Sequence, residues 1–129
     1  MSNRPIVVLL LFLLMAIGCQ SQKENNSDQV VHHVFFWLKN SGSEADKKKL
    51  IEGLETLREI PEVKELMIGV PASTMEREVV DNSFDVSELM IFENVADQDA
   101  YQVHPLHKEF VDNYSHLWEK VIVYDMITE

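Results

Sequence analysis

The sequence predicts an α+β fold: a four-stranded antiparallel sheet carrying two helices on one face. Three observations lead there. Segments of strand and helix periodicity alternate in the order β-α-β-β-α-β. The opening strand is apolar on both of its faces. The four apolar strand segments and two helical stripes fit within about 100 residues, enough for one modest core.

The first strand is QVVHHVFFWLK, rich in β-branched and aromatic residues. Val31, His33, Phe35 and Trp37 share one side, and Val30, His32, Val34, Phe36 and Leu38 the other. With helices on only one side, a second copy of the chain is needed to cover the remaining face, so a homodimer is expected. Ser43 caps the first helix, with Asp46 three residues on. Leu50, Ile51, Leu54 and Leu57 form its buried stripe, Lys47, Lys48 and Lys49 a solvated face, and Pro61 ends it. A second strand runs from Val63 to Val70, and a polar loop follows Pro71. A third strand, Phe84 to Phe92, places Val86, Glu88, Met90 and Phe92 on one face. Asn94 caps the second helix, with Asp97 and Asp99 near its positive end. Pro105 breaks that helix, which resumes from Leu106 to about Ser115. LWEKVIVYDMI is the last strand. This order is the split βαβ, ferredoxin-like arrangement, expected over residues 29–129.

The start of the chain reads differently. Arg4 is followed by the apolar run PIVVLLLFLLMAIGC, which has the layout of an export signal over residues 1–18. Cys19 is the only cysteine, so an intrachain disulfide is excluded. AIGC resembles a bacterial lipobox, which implies a lipidated Cys19 at the head of a polar tether, residues 19–28. Gln20 after the cysteine resembles sorting to the outer membrane if the host is Gram-negative, so an exported protein anchored in the cell envelope, facing the periplasm, is expected. The net charge is −11, and removing residues 1–18 takes away one positive charge and no negative one. Such a chain repels nucleic acid and anionic headgroups, so membrane contact is expected through the lipid alone.

The most specific segment is AYQVHPLHKEF, with Tyr101, His104, Pro105, His107 and Phe110. Together with HHVFFWLK, IPEVKELMIG and WEKVIVYDM, it resembles the stress-responsive A/B barrel (Dabb) family of small dimeric ferredoxin-like proteins, over nearly all of residues 29–128. The resemblance implies that the bare sheet faces of two subunits pack into a central barrel. In a plant member that closes a polyketide chain by aldol condensation, the tyrosine and the second histidine of this pattern are catalytic; those positions here are Tyr101 and His107. It further implies a helix-side pocket lined by His33, Phe35, Trp37, Glu88 and Met90, and His104 is expected among the ligand-binding residues. Glu88 stands where that cyclase has an apolar valine, and a carboxylate there makes the pocket more polar or pairs with His33 or His107.

A neutral imidazole and a tyrosine hydroxyl form a plausible base and donor for chemistry at a carbonyl. His104 and His107 are three apart, but a metal needs further ligands and Pro105 interrupts their spacing, so no metal is expected. No glycine-rich phosphate loop is present, and no cofactor is expected. The sequence therefore points to a lipid-anchored dimer that binds a small molecule between sheet and helices. The alternatives are a cofactor-free lyase or cyclase with His107 as base and Tyr101 as proton donor, and a purely structural dimer.

Overall fold

The computed structural model describes residues 28–129. The expected export signal, Cys19 and all but the last residue of the tether lie outside the described residues. The strands are β1 (Val30–Leu38), β2 (Glu65–Gly69), β3 (Val86–Phe92) and β4 (Trp118–Ile127). The helices are α1 (Glu44–Glu55), α2 (Val95–Val103) and α3 (Pro105–Tyr114). One sheet forms in the order β2-β3-β1-β4, with every neighbouring pair antiparallel.

Local chemistry explains the boundaries. The Ser43 hydroxyl accepts from the Asp46 amide at 3.2 Å, and Asn94 Oδ1 accepts from the Asp97 amide at 2.9 Å. Each satisfies an amide that the first helical turn leaves open, an effect of about 1 kcal/mol. Pro105 splits the second helical stretch as its missing N–H demands. His104, held extended before the proline, ends α2, and Pro105 opens α3.

The core lies between the helices and one sheet face. Leu50, Leu54 and Leu57 meet Val34, Phe36 and Leu38 of β1 and Val86 and Phe92 of β3 in one buried cluster. Gly53 permits a close approach of α1 and α3, because a Cβ there would lie 2.7 Å from the Tyr114 ring.

The other sheet face is bare. Val31, Phe35 and Trp37 lie on it beside Leu89 and Ile91 of β3 and Ile122, Tyr124 and Met126 of β4. No helix among the described residues covers it, and Tyr124 is 64% exposed. Its aromatic centre is organised: Phe35 meets His33, Phe84 and Tyr124 at ring distances of 4.2, 5.0 and 6.0 Å. The Lys120 ammonium lies 4.2 Å from the centre of the Trp37 ring. The two-sided apolar character of β1 thus corresponds to one face packed by helices and one left open.

Candidate functional site

Strand pairing decides which side chains can meet. Val34 lies opposite Glu88, and His32 opposite Met90. Directly opposed residues share a face, so Glu88 shares its face with His32, Val34 and Phe36. The expected placement of His33, Phe35 and Trp37 beside Glu88 and Met90 is therefore corrected. These three point to the bare face, because a shift of one residue along a strand reverses every side chain. Trp37 uses its indole N–H to reach Ser83 Oγ at 3.1 Å, on that other side.

A cavity of about 230 Å³ lies on the helix side. Its polar lining includes His32, Glu88, Tyr101, Gln102, His107 and Asp125. Its apolar wall includes Val34, Phe36, Phe110, Trp118 and Val123. Tyr101 and His107 thus come together with Glu88, as the tyrosine–histidine pattern leads one to expect. Met90 faces the same way but is wholly enclosed in the core and does not line the cavity. His104 does not line it either. Its Nδ1 accepts from the Leu106 amide at 3.1 Å, so this imidazole serves as the N-cap of α3.

The hydrogen bonds define what each ring can do. His107 Nδ1 lies 3.1 Å from the Gln102 carbonyl oxygen. A carbonyl only accepts, so Nδ1 carries the proton and Nε2 is left as an acceptor. Burial lowers the His107 pKa; the bond to the Gln102 carbonyl opposes this, and nearby His32 adds to the lowering. The imidazole is thus neutral at neutral pH. Its ring centre lies 4.7 Å from that of Tyr101. Tyr101 is 1% exposed and packs against Phe92 and His32 at 5.1 and 5.8 Å. Burial, reinforced by the negative charge Glu88 would carry, pushes its phenol pKa up, so the hydroxyl keeps its proton.

His32 and Asp125, distant in the chain, were not foreseen as site residues. β1 and β4 set them opposite one another, and His32 Nδ1 donates to Asp125 Oδ1 at 2.6 Å. The visible signal was a lone acid in the otherwise apolar VIVYDMI strand. His32 is buried, whereas the Asp125 side chain is 50% exposed.

Glu88 is the most unusual member. It is 2% exposed, and its Oε2 has no hydrogen-bond partner among the described residues. The expected pairing with His33 or His107 is not made for this oxygen, and His33 lies across the sheet. Burial pushes the Glu88 pKa up to about 8, so the group is a neutral acid at pH 7. The cavity therefore combines an acceptor nitrogen, a phenol donor and a carboxylic acid between apolar walls. Among the described residues, no three His, Cys, Asp or Glu side chains are grouped to hold a metal ion.

A four-stranded antiparallel sheet with its helices on one side and a cavity beneath them defines a ferredoxin-like domain. The family model described as the stress responsive A/B barrel domain (Dabb) matches residues 30–128, and the chain belongs to that family. No curated protein matches the chain. Solved structures do. A hydroxynitrile lyase from Passiflora edulis is 26% identical with a TM-score of 0.67, covering 80% of this chain and 95% of that one. A Dabb family protein with a ferredoxin-like fold from Mesorhizobium loti is 21% identical with a TM-score of 0.64, covering 78% and 97%. A dimeric ferredoxin-like protein of unknown function from Thermobifida fusca is 16% identical with a TM-score of 0.63, covering 79% and 92%.

Proposed function

We propose that the chain binds a small uncharged molecule in the cavity beneath α2 and α3, acting as a homodimer tethered to a membrane through lipidated Cys19. One observation carries the binding reading. Three polar side chains that are each at most 5% exposed, His32, Glu88 and Tyr101, converge on one cavity with apolar walls. Such convergence in a largely apolar pocket is the ordinary form of a small-molecule site. The cavity is smaller than the usual range for drug-sized ligands, which favours a ligand of about ten non-hydrogen atoms. The homodimer is supported by the bare apolar face and by the dimeric Thermobifida fusca relative. The tether rests on the AIGC motif.

The test is a two-dimensional NMR screen of small neutral aromatic and aliphatic compounds against the domain and its His107→Ala variant. Binders should shift resonances of Tyr101, Gln102 and Phe110, and His107→Ala should weaken them about tenfold or more. Shifts confined to other surfaces would overturn the reading. Incorporation of a labelled fatty acid, abolished by Cys19→Ser, tests the anchor.

A second reading is favoured by the acceptor Nε2 of His107 and by the likeness to the hydroxynitrile lyase. In it, His107 removes the hydroxyl proton of a hydroxynitrile. The carbon–carbon bond to the nitrile breaks, a carbonyl forms, and cyanide leaves with the bond's electron pair. The proton returns to cyanide from His107, while the Tyr101 hydroxyl orients the reacting oxygen. Release of cyanide from mandelonitrile above the rate of a Tyr101→Phe, His107→Ala double variant would support it. Equal rates would remove it.

A further inference from the structure

Glu88 poses a problem that the fold alone does not answer. Its strand neighbours are apolar: Val34 lies opposite on β1 and Ile68 opposite on β2. Nothing in that layer requires an acid. A buried polar oxygen left without a partner costs about 1–3 kcal/mol, and a valine or leucine would avoid it. Yet the side chain is held 2% exposed, at the wall of the cavity, with Oε2 unpartnered.

We propose that Glu88 is a specificity-determining residue of the pocket, offering its carboxylic acid O–H to the acceptor oxygen of a small neutral carbonyl compound. This rests on the cavity being a ligand site, and goes further by naming the ligand's chemistry. The groups on every element around Glu88 fit that role. His32 on β1 is already committed to Asp125 on β4 at 2.6 Å. His107 on α3 is neutral and presents an acceptor, not a cation. Tyr101 on α2 keeps its proton. Among the described residues, no fixed positive charge lines the cavity to hold Glu88 ionised. Burial keeps the acid protonated to about pH 8, which makes it a donor. A donor in a cavity with apolar walls discriminates strongly, because a ligand lacking the acceptor leaves the acid unpaired. A protonated amine would instead have to draw out the Glu88 proton and bury an ion pair, which desolvation disfavours.

The experiment uses the domain of residues 28–129. It contains the whole described core and aligns with solved chains over 92% and 97% of their length. Three probes of nearly equal shape are titrated by NMR: acetophenone, α-methylstyrene, in which CH₂ replaces the carbonyl oxygen, and α-methylbenzylamine. Each is measured on the wild type, Glu88→Gln and Glu88→Leu at pH 6.5 and 9. The wild type should prefer acetophenone to α-methylstyrene by about tenfold or more at pH 6.5. Glu88→Gln, which keeps an N–H donor, should hold acetophenone within about fivefold at both pH values. Glu88→Leu should lose the preference, and wild-type affinity for acetophenone should fall at pH 9 as the acid ionises. Glu88→Leu retaining the acetophenone preference would overturn the assignment while leaving the pocket reading intact, as would wild-type binding of the amine more tightly than acetophenone at pH 6.5. Failure of all three probes to perturb the cavity of the wild type would overturn both. Glu88→Leu should fold at least as stably as the wild type, so loss of the preference is not loss of structure.

Discussion

The two faces of the sheet invert the usual distribution of polarity. On the helix-covered face, where apolar residues belong, β1 and β3 bury His32 and Glu88. On the bare face, where polar residues belong, the same strands set out Val31, Phe35, Trp37, Leu89 and Ile91. Each anomaly carries a free-energy cost in the isolated chain. The proposed small molecule would remove the cost on one side, and a second subunit would remove it on the other. Function is thus readable from where the burial rule is broken, not from where it is obeyed.

Substitutions on either face separate these roles. Tyr101→Ala should have the largest effect, about 3–5 kcal/mol of stability in urea denaturation, because it empties a fully buried aromatic site at the core's edge. Tyr101→Phe should cost less than about 1.5 kcal/mol, since the ring packing survives. Equal losses would mean that the hydroxyl, not the ring, holds the covered face together. Leu89→Asp, on the bare face, should weaken self-association by about a hundredfold, roughly 3 kcal/mol, with little change in the circular dichroism of the monomer. An unchanged mass in sedimentation would place the interface elsewhere.

Glu88 predicts a pH signature of the covered face. Its folded pKa of about 8 lies above the ordinary glutamate value of 4.5, so the folded state holds a proton that the unfolded state releases. Stability from this group is therefore complete below about pH 4.5 and falls as pH rises to about 8. His33 and His107 act oppositely. Burial lowers both pKa values from 6.5, so their contribution rises with pH below that point. Between pH 7 and 8 the Glu88 contribution outweighs the fading one of the histidines, and unfolding free energy should drop by about 1 kcal/mol. Glu88→Gln should flatten that segment; a persisting slope would trace it to another group. Asp125→Asn should have the smallest effect, within about 1 kcal/mol, because the carboxylate it replaces is half exposed. Its ligand affinity should fall more than its stability does.

The scaffold was legible wherever a short-range rule governs it. The caps at Ser43 and Asn94, the break at Pro105 and the chain order of strands and helices follow from local pattern and appear as expected. The site was legible in part. Tyr101, His107 and Glu88 converge, but β1 was assigned the wrong phase. Both of its faces are apolar, so alternation carries no information on which one meets the helices; only the pairing of Val34 with Glu88 settles it. The His32–Asp125 contact was out of reach because it joins the two ends of the domain across a strand ladder. His104 shares the spacing of a site residue with His107, yet the proline beside it turned its ring into a cap.

The mass of the domain in solution decides whether a second subunit covers the bare face. Sedimentation equilibrium of residues 28–129 at micromolar concentration should return twice the monomer mass. A single species of monomer mass, with Tyr124 and Met126 left open to water, would contradict it.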